Sequence, residues 1–286
     1  MDEVQRWALA TLLANGSPSA PRADRTIEMI GAGFRLLDPR ARLITSAARR
    51  WSTALAVGEF AWHLSGSNEV APIAYYASRW RDFSDDGFVI RGSCYGQRIF
   101  GPGGNGLSQW ERLVHLLRED PESRRAVLNV QQSPELSLDA ASRDVSCVNG
   151  CQFLLRDGRL HALLNMRSND VIWGLPYDVF LFSMLQEMLS LELGVKLGSY
   201  IHVAGSFHLY ERHREWALRI AEEQTIATSP MIPMDNIAEL PDFLDAERNL
   251  RATGISTATL SPYWAALLKP LKAHAHRHAT ADPVEA

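Results

Sequence analysis

The sequence is poor in lysine, has few cysteines and lacks a long uninterrupted apolar segment. Of its 29 Lys and Arg residues, only Lys196, Lys269 and Lys272 are lysine. The formal charge is -4 at pH 7, which argues against a protein that coats nucleic acid or binds membranes through a basic surface. The preference for arginine reflects either a GC-rich genome or the use of guanidinium forks on phosphate and carboxylate groups.

The chain has three cysteines, Cys94, Cys147 and Cys151. Three are too few for a disulfide framework in 286 residues, and Cys147 and Cys151 lack the second ligand pair of a zinc site. His274, His276 and His278 are spaced by two in an Ala-rich segment, and we assign them no metal site. No signal peptide is predicted, and the apolar run from Val179 to Val195 contains polar residues that favour a buried helix. We expect a reduced, cytoplasmic protein of enzyme size.

Apolar spacing predicts both helices and strands along the chain. Helices are predicted over Met1–Asn15, Arg49–Leu64, Ser108–Leu117 and Asp178–Leu193, and strands over Thr26–Leu36, Ala126–Gln131, Gln152–Leu155, Leu160–Leu164, Tyr200–Val203 and Phe207–Tyr210. Asp157-Gly158 predicts a hairpin turn between two of these strands, and Ser108 followed by Glu111 predicts a helix cap. Trp7, Leu9, Leu12 and Leu13 are available for one face of the first helix. Gly31 and Gly33 predict a bulge or a close backbone approach in the first strand. The absence of regular βαβ alternation favours an α+β fold. We expect one catalytic domain over residues 1–265 and a C-terminal tail over 266–286, mobile from Ala273.

Five sequence elements follow one another between Ser146 and His213. They are Cys147, Gln152-Phe153, Arg167-Ser168-Asn169-Asp170, Gly174-Leu175-Pro176-Tyr177-Asp178 and His208-Leu209-Tyr210. In content and spacing this set resembles the thymidylate synthase family. Weaker matches extend the resemblance over roughly Asn15 to Ile232, at Glu59, Trp80, Tyr95-Gly96 and Asp120 to Arg125. The resemblance implies a mixed sheet packed with helices, with one sheet face at a homodimer interface.

Four positions depart from the family pattern. Val148 replaces the usual His after the nucleophile, Ser146 replaces a Pro, and Gly205-Ser206 replaces Gly-Asp. The fourth departure is Asp178, which occupies the position of an asparagine. A carboxylate at this position resembles the cytidylate and deoxycytidylate hydroxymethylases of the family.

The resemblance implies a covalent mechanism with Cys147 as the nucleophile. A pyrimidine carbon 5 becomes reactive once a thiolate has added to carbon 6, which requires an accessible cysteine of low pKa. Glu59 is implied as the general acid/base near the exocyclic position of the ring, and Tyr95 as an aid in removing the carbon 5 proton. Cys94 and Cys151 are interpreted as structural thiols.

The implied binding residues divide between nucleotide and folate. Phosphate is assigned to Arg22, Arg124, Arg125, Arg167 and Ser168, the Arg124-Arg125 pair being contributed by the neighbouring subunit; Arg25 lies close to Arg22, which aligns only with a one-residue gap. His208 and Tyr210 are assigned to the sugar hydroxyl, and Gln152 and Asp178 to the rest of the nucleotide. Trp80 and Asp170 are assigned to the folate.

The side chain at position 178 is the one that selects the base. Asparagine offers one donor and one acceptor, which match the N3–H and O4 of uracil. A carboxyl group accepts from the 4-amino group of cytosine and, when protonated, donates to N3. The alternative for Asp178 is a charge placed favourably at a helix N-terminus.

The sequence therefore predicts conversion of CMP or dCMP to the 5-hydroxymethyl nucleotide with 5,10-methylenetetrahydrofolate and water. One alternative is thymidylate synthase activity on dUMP, in which hydride instead of water captures the methylene intermediate. Another is a nucleotide- or RNA-binding relative without activity, against which the retained Cys147, Glu59 and Tyr95 argue. CMP and dCMP are not distinguished, although Arg richness favours CMP and a role in nucleoside-antibiotic biosynthesis. No nucleic-acid or membrane partner is predicted.

Overall fold

A computed structural model describes residues 1–21, 24–104, 106–137, 142, 144–224 and 230–280. Their contacts divide the chain into two compact units. Unit 1 comprises Met1–Trp51, Arg112–Gln132 and Ser146–Met231, and unit 2 comprises the described residues of Ser52–Glu111, Ser133–Val145 and Ile232–Ala286. The chain alternates between the units, so no linker in the sequence marks a boundary.

Unit 1 is built on a six-stranded mixed sheet. Its strands are β1 (Ser17–Ser19), β2 (Thr26–Leu36), β3 (Val127–Asn129), β4 (Val148–Arg156), β5 (Arg159–Asp170) and β6 (Lys196–Tyr210). They are arranged β1-β2-β6-β5-β4-β3, with β5 and β6 parallel and the other neighbours antiparallel. The mixed sheet with helices confirms the predicted fold class.

The predicted hairpin joins β4 and β5. Asp157 and Gly158 both have positive φ, of 50° and 67°, which a two-residue turn between twisted strands requires. β2 has the predicted bounds. Gly33 makes the predicted close backbone approach, because a Cβ at this position would lie 2.8 Å from the carbonyl oxygen of His202. β6 differs from the two short strands predicted, since it passes through Gly205 without a break.

Three helices accompany the sheet, namely α1 (Asp2–Asn15), α6 (Gly174–Glu192) and α7 (Arg214–Glu222). The buried polar groups of α6 are satisfied: the Gln186 side chain donates to the Leu160 carbonyl at 2.8 Å, and Glu187 pairs with Arg40 and Arg42. In α1 the predicted apolar face is only partly right, because Leu9 and Leu12 are buried whereas Trp7 is 43% exposed.

Unit 2 is helical. It contains α2 (Thr53–Leu64), α3 (Val70–Ala74), α4 (Tyr95–Phe100), α8 (Leu240–Thr253), α9 (Pro262–Thr280) and the start of α5 (Gln109–Glu119). The predicted cap of α5 is present, since the Ser108 hydroxyl accepts from the Glu111 N–H at 3.1 Å and the Glu111 carboxylate accepts from the Ser108 N–H at 2.7 Å.

The C-terminal segment differs from the prediction of a tail beginning at residue 266. Residues up to Thr280 belong to α9, which packs against α2 and α8 and buries Leu267, Leu268, Leu271 and Ala275. Apolar residues at helical spacing lie among the Ala and His residues of this segment, and their burial stabilises the helix. None of the helices in the described part of the chain has the length and hydropathy to cross a membrane.

Candidate active site

Four strands of unit 1 meet at the end of the sheet that carries the predicted site. β4 begins there, because Val148 pairs with Met166 near the end of β5. β5 and β6 end there in parallel, with Asp170 beside His208, and β2 begins there with Thr26 beside Tyr210. The topology thus gathers the following predicted residues at one sheet end: Cys147, Arg167, Ser168, Asp170, His208 and Tyr210.

Cys147 is the accessible thiol of the three. It is half-buried, whereas Cys94 and Cys151 are buried, and burial raises the pKa of both of those thiols and keeps them protonated. The Nη2 of Arg167 lies 3.8 Å from Sγ of Cys147, and Nε of the same side chain donates to the Ser146 carbonyl at 2.7 Å. This anchored guanidinium stabilises negative charge on the sulfur, as a nucleophilic thiolate requires.

The pair His208 and Tyr210 presents polar atoms beside this thiol. Their rings lie edge to face, with centroids 5.2 Å apart, and Nδ1 of His208 is buried without a hydrogen-bond partner among the described residues. Burial and then the neighbouring Asp170 raise the pKa of Tyr210, so its hydroxyl stays protonated. A buried nitrogen without a partner and a phenol can both bind a ligand hydroxyl.

Asp170 and Asp178 are both half-buried, but they have different partners. The Asp170 carboxylate accepts from the Ile172 N–H at 2.8 Å, and its desolvation is strong enough to raise its pKa. The Oδ2 of Asp178, in the first turns of α6, accepts from Nδ2 of Asn169 at 2.8 Å. Asp178 is therefore directed towards the end of β5, which disfavours its interpretation as a solvated helix-end charge.

Arg49 is a residue of this region that the sequence did not reveal. It is fully buried, donates from Nη2 to the Ile172 carbonyl at 2.7 Å, and lies 5.1 and 5.2 Å from the ring centres of Trp173 and Trp216. Burial lowers its pKa. The contacts hold the loop that joins β5 to α6, and this loop places Asp178.

Unit 2 carries the other two predicted catalytic residues, and His63 connects them. Nδ1 of His63 accepts from the Gly96 N–H at 3.0 Å, so Nε2 carries the proton and lies 3.8 Å from Oε1 of Glu59. The His63 ring stacks on Tyr95, with centroids 5.3 Å apart and an interplanar angle of 5°. Histidine four residues after Glu59 on a predicted helix was the available sequence signal.

Trp80, the predicted folate residue of unit 2, is half-buried in an aromatic group. Its ring centroid lies 5.4 Å from that of Trp62 and 5.6 Å from that of Phe83. These contacts fix the ring plane while part of the indole remains accessible. The indole can therefore stack on a planar aromatic ligand.

Arg124 and Arg125 are not brought to the Cys147 end of the sheet. Both are exposed and precede β3, whose first residue pairs with Gln152, and the Gln152 side chain donates to the Arg124 carbonyl at 2.8 Å. Gln152 is five positions after Cys147 in the chain, about 16 Å at about 3.3 Å per residue. Within one chain, Gln152 thus contacts the arginine segment.

The first predicted phosphate ligand, Arg22, lies outside the described residues. Its neighbour Arg25 is described: it directly precedes β2, next to the Thr26–Tyr210 pair, and its exposed guanidinium lies 3.2 Å from Glu211. Arg25 is therefore one of the cations that the structure places at the Tyr210 end of β2, where Arg212 also lies 4.0 Å from the centre of the Tyr210 ring. The position of Arg25 immediately before an extended run was the signal in the sequence.

Comparison with known proteins identifies similar sequences and a similar structure. The family description "Thymidylate synthase" matches residues 8–249. Thymidylate synthase 1 of Bacillus spizizenii is 28% identical over 238 residues, covering 81% of this chain and 80% of the relative. The deoxyuridylate hydroxymethyltransferase of Pseudomonas phage M6 is 31% identical over 201 residues, covering 68% of this chain and 54% of the phage protein. The solved structure of thermostable thymidylate synthase A from Bacillus subtilis is 25% identical, with a TM-score of 0.65 and coverage of 79% of this chain and 86% of that one.

Proposed function

Because the chain belongs to the thymidylate synthase family, whose members are folate-dependent one-carbon transferases, we propose that it converts CMP or dCMP to the 5-hydroxymethyl nucleotide. The observation that carries this proposal is the carboxylate of Asp178, held by Asn169 next to the strand end that bears Cys147 and Arg167. A carboxyl group at this position suits the 4-amino group and N3 of cytosine better than the O4 and N3–H of uracil.

Cys147 begins the reaction by adding its thiolate to carbon 6 of the cytosine ring. The electron pair of the C5–C6 bond moves into the ring, charge develops on N3, and carbon 5 becomes nucleophilic. The guanidinium of Arg167 stabilises the Cys147 thiolate before the addition, and again when the thiolate leaves carbon 6 at the end of the cycle. Asp178, in its protonated form, donates to N3 as charge develops there and accepts from the 4-amino group.

Carbon 5 next forms a bond to the one-carbon unit and loses its proton. Bound methylenetetrahydrofolate would supply this unit, and its two nitrogens would take the electron pairs of the two carbon–nitrogen bonds that break. Tyr95 assists removal of the proton, and Glu59 moves protons at the exocyclic position, with His63 packed between the two side chains. Water then adds to the exocyclic methylene of the nucleotide, and departure of Cys147 restores the C5–C6 double bond.

Two residues have the chemistry that a folate pterin requires. Trp80 offers an aromatic face whose orientation is fixed by Trp62, and half-buried Asp170 offers a desolvated carboxyl group that can accept from ring N–H groups. These residues would hold the pterin, and the unpartnered Nδ1 of His208, together with Tyr210, would hold a sugar hydroxyl.

The phosphate site is completed in a homodimer in this proposal. Arg167, Ser168 and Arg25 come from the strand ends of one chain. Arg124 and Arg125 are exposed and lie beside Gln152, about 16 Å along β4 from Cys147, and in this proposal they bind the nucleotide of the second copy. The open sheet face carries half-buried apolar residues such as Leu163, Ile201 and Val203, and it is the surface through which a second copy would bring its arginines.

Hydroxymethylation of a uracil nucleotide is a second candidate, because the phage relative is named a deoxyuridylate hydroxymethyltransferase. Purified protein should be incubated with methylenetetrahydrofolate and with CMP, dCMP, UMP or dUMP in turn, and the products identified by mass. A gain of one CH2O unit on a cytosine nucleotide supports the proposal. The same gain on a uracil nucleotide alone would select the second candidate, and a gain of CH2 with oxidation of the folate would select thymidylate synthase activity.

A further inference from the structure

Behind Asp178 lies a chain of buried polar side chains that the reaction does not use. The Tyr200 hydroxyl lies 3.1 Å from Nδ1 of His202, Nε2 of His202 lies 3.1 Å from Oδ1 of Asn169, and Nδ2 of Asn169 lies 2.8 Å from Oδ2 of Asp178. Tyr200 and His202 are fully buried, and Asn169 is 2% exposed. Burying a polar group without a partner costs free energy, and each of these groups has a partner. The fold therefore specifies this hydrogen-bonded series of side chains.

The hydrogen bonds of this series of side chains all donate in one direction. Burial lowers the pKa of His202 to about 3, so its ring is neutral and has one N–H and one acceptor nitrogen. Because Asn169 uses its amide nitrogen on Asp178, its Oδ1 accepts from Nε2 of His202, and Nδ1 of His202 accepts from Tyr200. Burial raises the pKa of Tyr200, which keeps the proton that it donates. Every donor thus points towards Oδ2 of Asp178.

Gly174 makes room for the contact between Asn169 and Asp178. A Cβ at this position would lie 3.0 Å from Nδ2 of Asn169 and 3.2 Å from Oδ2 of Asp178. Both distances are tighter than ordinary van der Waals contact, so even a methyl group would push the two side chains apart. The residue at the start of α6 therefore belongs to the same arrangement.

We propose that Asn169, oriented by His202 and Tyr200, is a specificity-determining positioning residue that fixes which oxygen of Asp178 faces the base. Its amide donates to Oδ2, so Oδ1 is the oxygen that accepts from the 4-amino group of cytosine. The amide also stabilises the negative charge of the carboxylate. This inference rests on the proposed function, because it assigns base selection to Asp178.

The test compares Asn169→Leu with wild type, since leucine branches at the same carbon as asparagine and has no hydrogen-bonding groups. Equilibrium binding of CMP and UMP is measured by calorimetry, and kcat/KM is measured for both. The ratio of kcat/KM for CMP over UMP should fall at least tenfold, because the variant removes a buried hydrogen bond to a charged group. Ser183→Ala, which removes a buried hydroxyl bonded to the Phe180 carbonyl in the same helix, is the matched control and should keep the wild-type ratio.

A double-mutant cycle separates positioning from general damage. In an Asp178→Ala background, Asn169→Leu should leave the remaining base preference unchanged, because no carboxylate is left to orient. A folded Asn169→Leu protein with the wild-type ratio would overturn the inference. If that variant does not fold, Gly174→Ala replaces it, and an unchanged ratio there has the same meaning.

The two hypotheses fail in distinguishable ways. If wild type prefers UMP, the proposed cytosine specificity is wrong. A shift of that preference by Asn169→Leu that disappears in the Asp178→Ala background would still support positioning. If wild type prefers CMP and Asn169→Leu does not change the preference, the function stands and the positioning role is lost.

Discussion

The substitution Asp178→Asn tests base selection with a change of one atom. In the native protein, Oδ2 of Asp178 accepts from the amide nitrogen of Asn169 at 2.8 Å. An asparagine at 178 has to turn its oxygen towards that donor, because two facing NH2 groups repel each other. Its own NH2 group then points away from Asn169, towards the base. The neighbouring donor thus determines that the variant offers a donor where the native carboxyl group offers an acceptor.

The expected magnitude follows from this reversal. The 4-amino group of cytosine loses its acceptor and meets a donor, whereas O4 of uracil gains a donor. A mispaired buried polar group costs about 1–3 kcal/mol, and about 3 kcal/mol corresponds to roughly a 100-fold change in kcat/KM. The ratio of kcat/KM for CMP over UMP should therefore fall by about 100-fold. The product should remain a 5-hydroxymethyl nucleotide, because capture of the methylene depends on the folate side of the pocket.

The assay is release of tritium from carbon 5 of labelled CMP and UMP, with product mass as a second readout. Asp242→Asn is the matched control, since it removes an equivalent charge from the first turn of α8 and should leave the ratio unchanged. If wild type prefers UMP and Asp178→Asn preserves that preference, the reasoning is refuted and Asp178 acts as a helix-end charge.

Three further predictions concern the nucleophile, the assembly and the buried histidine. Cys147→Ser should abolish tritium release while CMP binding persists, and Cys94→Ser should remain active; substantial release from the Cys147 variant would remove its assignment as the nucleophile. Inactive Cys147→Ser mixed with inactive Arg124→Ala should regain activity as heterodimers, and demonstrated subunit exchange without recovery would mean that each site is built from one chain. Because the pKa of His202 falls from 6.5 to about 3 on folding, the unfolded state binds more protons between these pH values. Its contribution to the free energy of unfolding should therefore decrease by up to about 1.4 kcal/mol per unit as pH falls through this window, and His202→Gln should flatten that slope in urea titrations; an unchanged slope would contradict a neutral buried ring.

Much of the fold was determined by local sequence patterns. The hairpin at Asp157-Gly158 and the cap at Ser108 were predicted because their backbone and side-chain requirements lie within four residues. The C-terminal helix was not predicted as packed structure. Its stripe from Leu267 to Ala275 is sparse and mixed with histidine and lysine, so its helical state depends on burial against α2 and α8.

The features of the candidate site also divide into those predicted from the sequence and those that depend on tertiary structure. The sequence predicted Cys147, Arg167 and Asp178 as site residues through the family resemblance of their motifs, and the sheet order brings the first two into contact. The orientation of Asn169 towards Asp178 was decided by tertiary structure, because His202, which contacts the amide oxygen of Asn169, comes from β6, 33 residues away along the chain. Spacing in a sequence can locate a side chain on a strand or helix. Which donor faces a carboxylate depends on long-range strand pairing and on the space left at Gly174, and no local pattern encodes either.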